Sequence, residues 1–367
     1  MEKGYSYNRQ VWRRLLRNRP AVFGLLIITV TILTALFAYA IAPDNSPHAD
    51  LQTVEIQAMK PGHSQLFLLV PDSTQARNSC IHAFFNGTLP GARYIPITGY
   101  TVQGNQLSVQ KYIDEDTTVT QLYDIGTLTG NRPHELQKLL VTKKYLLGTD
   151  AYGRDILSRL MIGTRVSLAV GFIALLISLI LGITLGALAG YYRGWVDAII
   201  MWFVNISWSI PTLLLAFAFT MALGKGFWQV FVAVGLTMWV SVARLVRGQV
   251  MAVKELEYVQ AAVALGYTDR RIIIRHILPN IMGPVMVIAA GNFASAIIIE
   301  AGLSFLGIGV QPPMPSWGLM IKENYNFIIT HNPFLAIVPG LAIMLLVLAF
   351  NVVGNGLRDA LSEYSPA

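Results

Sequence analysis

Six long apolar stretches constrain this chain more than any other feature. Crossing a bilayer core of about 30 Å takes about 20 residues of helix at about 1.5 Å each. Runs at 21–42, 166–191, 198–223, 227–243, 281–307 and 333–353 are near or above that length. The first run contains Ala38-Tyr39-Ala40 and Ala40-Ile41-Ala42, which resemble small-residue cleavage sites. Its apolar stretch is too long for a typical secretion signal, so it is read as a retained span. Only 13% of the 367 residues are charged against 54% hydrophobic, about half the charge density of a soluble domain. The fold class expected is an all-α polytopic membrane protein with about six transmembrane helices.

The formal net charge of +7 need not mean nucleic acid, because no basic stripe interleaved with aromatics is present. Basic residues instead set the threading, since Lys and Arg beside a span stay in the cytoplasm. Lys3, Arg9, Arg13, Arg14, Arg17 and Arg19 place the N-terminal tail there. Arg247, Lys254, Arg270, Arg271 and Arg275 do the same for the loop at 246–280. Short loops holding Lys225, or Lys322 beside Glu323, fall outside, and an even number of spans returns Arg358 and the 358–367 tail to the cytoplasm.

Between the basic tail with its first span (1–42) and the remaining spans lies a polar segment, 43–147, which this threading puts outside the cell. Gly104-Asn105 between 97–103 and 106–112 predicts a β-hairpin with a two-residue turn. Residues 65–70 read as a further strand. A small β-rich insert follows, serving as a partner-binding domain or as a spacer.

Chemistry is sparse. Gly148 and Gly153 have the spacing of a phosphate loop, but Arg154-Asp155 stand where Lys-Ser/Thr is needed, and the threading puts them away from cytoplasmic ATP. No His-Glu-x-x-His or Gly-x-Ser-x-Gly motif occurs. His48, His63, His82, His134, His276 and His331 are scattered, and the single Cys80 excludes an intrachain disulfide and reads as a small apolar residue. No metal site, catalytic residue or cofactor is expected in this chain. Gly182, Gly186 and Gly190 recur every fourth residue and would present a smooth strip for close helix packing. Glu300 sits in an apolar run where a carboxylate is costly. It could bond a neighbouring helix, line a pathway or relay protons; with no second ionisable group in the spans, proton-coupled secondary transport or a channel is the weaker reading.

The loop at 246–280 is the most informative segment. Residues 255–265 are good helix formers, Gly266 can end that helix, and Thr268-Asp269 can cap a second short one ending before Pro279. A loop this ordered yet without catalytic groups suggests a protein contact, with Ala261 and Ala262 small enough for close docking.

Gln260-Ala261-Ala262, Gly266 and Leu278-Pro279 have the spacing of the EAA loop, so the chain resembles the permeases of ABC importers. It departs at Gln260, which replaces the acid, and at His276, which replaces an Ile. Glu257, one turn earlier, could supply the missing charge. Gly148-Thr149-Asp150 through Arg159, Glu300-Ala301-Gly302-Leu303-Ser304, Pro315-Ser316-Trp317-Gly318 and Asn355-Gly356-Leu357-Arg358-Asp359 are similar to C-type subunits of the dipeptide/oligopeptide/nickel importers. That resemblance implies the type I ABC importer permease fold over 148–357, in the inner membrane with both termini cytoplasmic. It implies a second homologous permease, two cytoplasmic ATPase subunits that bind the ATP, and an extracytoplasmic solute-binding protein as partners, with lipid around the spans. Glu257, Tyr258, Gln260, Ala261, Ala262 and Gly266 would be the contact to the ATPase. Peptides would be the substrate, with nickel or another small solute as the alternative.

Overall fold

The computed structural model describes residues 7–71, 80–114, 116–129, 136–224, 226–330 and 332–362. Lys3, His134, Lys225 and His331 lie outside the described residues, as do the side chains of Cys80 and His82. The chain divides into two compact units, one of 1–33, 167–311 and 341–367 and another of 34–166 and 312–340.

The first unit is helical. After α1 (Tyr7–Leu15), α2 (Arg19–Leu36) packs on the last helix, α16 (Phe334–Ser362). Small residues allow this approach: a Cβ on Gly24 would fall 2.7 Å from the Ala349 carbonyl oxygen. α7 (Ile156–Tyr192) and α10 (Phe227–Lys254) extend well past their apolar runs. Hydropathy stops at the first cation, whereas helix propensity does not. Arg244 and Arg247 are therefore helical residues of α10, and Asp197 lies in the first turn of α8 (Gly194–Ser209). This corrects the reading that Glu300 is the only ionisable group in the span helices.

The third apolar run is also corrected. It breaks into α8 and α9 (Thr212–Leu223), bent by 99°. Pro211 is the cause: its ring forces Ile210 into extended backbone (φ −100°, ψ 130°) and removes one helical donor. Among the described residues five single helices are long and apolar enough to cross a membrane, and the bent pair brings the number to as many as six.

α11 (Glu257–Ala264) is followed by α12 (Asp269–Ile272), which ends before Pro279 as expected but runs without a break into the next helix. It passes through a π turn, Ile273–Ile277, into α13 (Leu278–Phe305). The Leu278 amide donates to the Ile273 carbonyl, five residues back. Widening the turn in this way accommodates a proline at the second position of the next helix.

The second unit is built on a five-stranded antiparallel sheet in the order β4-β3-β2-β1-β5: β1 (His63–Pro71), β2 (Ala92–Gln103), β3 (Gln106–Tyr112), β4 (Thr118–Asp124) and β5 (Leu140–Tyr145). Gln103 pairs with Gln106 across the expected Gly104-Asn105 turn, with Gly104 at φ +59°. A positive φ at the first central residue only is the arrangement Gly favours in a hairpin. Leu68, Ile95, Ile97, Leu107 and Val109 face α5 (Ile125–Thr129) and α6 (Leu136–Leu139), while Phe67 and Tyr145 cover the other face with Ile56. Around it lie α3 (Ala38–Ile41), α4 (Cys80–Asn86), α14 (Trp317–Asn324) and α15 (Phe327–Thr330).

The sheet is not a free-standing insert of 43–147, because the same unit includes 148–166 and 312–340. Buried charge ties these segments together. Arg154 Nη2 donates to Glu323 Oε2 at 2.7 Å, its Nε to Asp150 Oδ2 at 2.7 Å and its Nη1 to Asp50 Oδ1 at 3.1 Å. Arg159, fully buried beside it, reaches the same Glu323 oxygen at 3.1 Å. Burial works against the Arg154 charge, but Asp150, Glu323 and Asp50 outweigh it and hold the guanidinium pKa above its ordinary value. Gly148 and Gly153, with φ of +81° and +72°, lie against the Met59 and Thr53 carbonyls, so their spacing serves this turn.

Candidate functional site

The residues singled out at 257–266 form α11 and its terminus. Sequence alone does not say which face of a two-turn helix looks outward, and here the structure separates the two alanines. Val259 and Ala262 are buried at 0% and 4% exposure, in one cluster with Ala187, Tyr191, Val242, Val246, Val250, Ile272, Ile277 and Ile281. Ala262 is therefore not a docking position, which corrects its expected role. Glu257, Tyr258, Gln260 and Ala261 are exposed. Sequence reasoning missed their apolar neighbours Leu256, Val263 and Leu265, the last 74% exposed. The available signal was their apolar character on a segment assigned to water.

Gly266 ends α11 at φ +74°. Its amide donates to the Val263 carbonyl at 2.9 Å and the Tyr267 amide to the Ala262 carbonyl at 3.2 Å. These two bonds satisfy carbonyls that the helix end would leave open, and they need a left-handed residue at this position. A Cβ on Gly266 would meet nothing within 4 Å, so the constraint is conformational rather than steric.

Thr268 occupies the position before α12 but makes no side-chain cap. Asp269 instead accepts from Tyr191 Oη at 2.7 Å, and Lys254 Nζ donates to the Tyr191 carbonyl at 2.6 Å. Tyr258 Oη accepts from Asn280 Nδ2 at 2.9 Å, and burial raises the Tyr258 pKa above its usual value. Gln260 Nε2 donates to the Glu255 carbonyl at 3.1 Å. His276 stacks on Tyr267, ring centroids 5.8 Å apart, and Arg271 lies 4.1 Å over the same ring. These bonds and the buried cluster fasten the segment around α11 to α7, α10 and α13.

The glycine strip lies on α7. Gly182 sits against Val242, and a Cβ on Gly186 or Gly190 would fall 2.5 Å from the Ala243 carbonyl oxygen or 2.7 Å from that of Arg247. The strip thus faces α10 along three turns. Glu300 lies elsewhere in α13, fully buried. Its Oε1 accepts from Ser304 Oγ at 2.7 Å, and Ser304 Oγ accepts from the Val310 amide at 3.0 Å. The carboxylate is thereby coupled to the loop that follows its own helix. Among the described residues no three His, Cys, Asp or Glu side chains are grouped to hold a metal ion.

Comparison with known proteins gives two family matches. The family described as binding-protein-dependent transport system inner membrane component matches residues 182–363, and the N-terminal TM domain of oligopeptide transport permease C matches residues 6–57. The glutathione transport system permease protein GsiD of Pectobacterium atrosepticum is 46% identical over 215 residues, 59% of this chain and 71% of the relative. The dipeptide transport system permease protein DppC of Alkalihalophilus pseudofirmus is 44% identical over 218 residues, again 59% of this chain and 71% of the relative. A solved inward-facing MetNI methionine ABC transporter chain matches with a TM-score of 0.46 and 20% identity, covering 56% of this chain and 96% of that one.

Proposed function

The chain belongs to the family of inner membrane components of binding-protein-dependent transport systems, and from that premise we propose that it forms half of the translocation pathway of an ATP-driven peptide importer. The observation that carries the proposal is α11: a short helix with exposed Leu256, Tyr258, Val263 and Leu265, fastened from beneath to three span helices. Relatives named for glutathione and dipeptide transport support peptides as the substrate class.

The remaining assembly is a second homologous permease, two cytoplasmic ATPase subunits and an extracytoplasmic solute-binding protein. ATP is bound by the ATPase subunits, and this chain supplies no hydrolytic group. Both termini and α11 face the cytoplasm, and the sheet of 43–147 faces outward, because the cations near the spans favour that threading. Glu257, Tyr258, Gln260 and Ala261 contact the ATPase, while Ala262 and Gly266 shape and seat the helix that presents them. Gly182, Gly186 and Gly190 hold α7 against α10 so that they move together. Glu300 acts through Ser304 as a structural pin. Closure of the ATPases displaces α11 and shifts the population of span arrangements between inward- and outward-open.

Ala261→Trp tests the coupling role, with Ala262→Trp as its counterpart. The exposed position should tolerate the indole for folding yet lose ATPase co-purification and vesicle uptake. The buried one should lose folded protein, since overpacking costs about 1–3 kcal/mol or more. Normal ATPase association and uptake in a stable Ala261→Trp chain would overturn α11 as the coupling element.

A further inference from the structure

The break between α8 and α9 leaves a cavity of about 360 Å³ in the helical unit, within the size range of small-molecule sites. Its lining is mixed: Ser207, Trp208, Thr212, Ser241, Asn292 and Ser295 bring polar groups among aliphatic side chains. Asn292 is almost completely buried, yet its contacts with Ser241 Oγ (3.3 Å), Ser178 Oγ (3.5 Å) and the Met238 carbonyl (3.5 Å) are all long. An amide held this loosely retains hydrogen-bonding capacity toward a guest.

Arg244 does not itself line the cavity but packs behind Trp208, which does. It is one turn after Ser241 on α10, so both lie on the same helix face. Its guanidinium carbon is 3.4 Å from the ring centroid of Trp208, which lines the cavity. Nη2 donates to Asn205 Oδ1 at 3.1 Å, and Nε is buried without a hydrogen-bond partner. No carboxylate among the described residues lies within ion-pair distance of it. Its neighbour Arg247, one turn on, is instead neutralised by Asp197 through bonds of 2.5 and 2.6 Å. A guanidinium in a span helix, packed over an indole with its Nε buried and one terminal nitrogen held by Asn205, keeps its remaining terminal N–H donors for a planar anion.

We infer that Arg244 binds the C-terminal carboxylate of a peptide whose backbone amides occupy the Ser241–Asn292 cavity. This deepens the peptide-importer reading and rests on it. The packing on Trp208 fixes the guanidinium plane, Asn205 holds one terminal nitrogen, and the serine and asparagine groups meet peptide N–H and C=O. Arg244 thereby makes the pathway selective for peptides ending in a free carboxylate.

The test compares uptake of alanyl-phenylalanine and its C-terminal amide by vesicles holding the complete importer, with wild-type chain, Arg244→Gln and Arg244→Lys. The binding protein is the same throughout, so the change in the acid-to-amide ratio reports the permease. Arg244→Gln should lower the ratio of free-acid to amide uptake roughly tenfold or more, with part of that ratio recovered in Arg244→Lys. A second measurement keeps Arg244 intact: in a Cys80→Ser, Ser295→Cys chain, the free-acid peptide should slow thiol labelling more than the amide does. Equal losses for both peptides, no loss, or equal protection would overturn the role of Arg244 while leaving the peptide reading in place. Absence of any peptide uptake by the wild-type importer would overturn both.

Discussion

Replacing Gly186 by alanine tests whether α7 and α10 meet as closely as the structure places them. The added Cβ would lie 2.5 Å from the Ala243 carbonyl oxygen and 2.9 Å from Val246 Cβ, against 3.4 Å or more in ordinary contact. The backbones must separate by about 0.9 Å, because the first obstacle is main chain and cannot rotate away. Overpacking of this kind costs about 1–3 kcal/mol. Alanine regains about 1 kcal/mol of helix propensity, so the net loss should be about 0–2 kcal/mol against the wild type and about 1–3 kcal/mol against a glycine-to-alanine change that meets no obstacle. Gly248→Ala is the control, since it lies on α10 and its Cβ would meet nothing within 4 Å; it should be neutral or stabilising. Thermal unfolding in detergent at one fixed scan rate should place Gly186→Ala several degrees below Gly248→Ala, at about 2–4 °C per kcal/mol for a unit of this size. Adding Gly182→Ala should cost less than it does alone, because the helices are already parted. Equal melting of Gly186→Ala and Gly248→Ala would refute the close approach.

Gly266→Val should destabilise the end of α11 by about 1–2 kcal/mol through its positive φ, with ATPase co-purification reduced and Gly266→Asn intermediate. Arg154→Ala leaves Asp150 and Glu323 with less compensation in a buried setting and should cost about 3–5 kcal/mol, read as protease sensitivity of the sheet unit. Ser304→Ala removes a donor to Glu300 and an acceptor for the Val310 amide, for a loss of about 1–3 kcal/mol in detergent unfolding. Single cysteines in a Cys80-free chain should react with an impermeant reagent from outside at Gly104 and from inside at Glu255; labelling of Glu255→Cys from the outer face would reverse the threading.

The helical character of this protein and the positions of its spans are written locally in the sequence, because lipid offers the backbone no partners and so demands long uninterrupted apolar helices. The Gly104-Asn105 hairpin and the left-handed end of α11 at Gly266 are equally local, since each depends on one residue's access to positive φ. Pro211 marked the place where the third run breaks, but the 99° bend follows only from how the two halves then pack. What tertiary structure alone decided involves residues far apart in the chain. Asp50, Arg154 and Glu323 meet across separations of 104 and 169 residues, and no pattern in any one segment announces that meeting. Ala261 and Ala262 are identical in the sequence, and only burial of the second against α10 and α13 tells them apart. Arg244 follows directly on an apolar run and nothing around it in the sequence sets it apart; it becomes a distinct chemical group only where α10 carries it beside Trp208 and Asn205, because a guanidinium acquires its specificity from the neighbours that fix its plane.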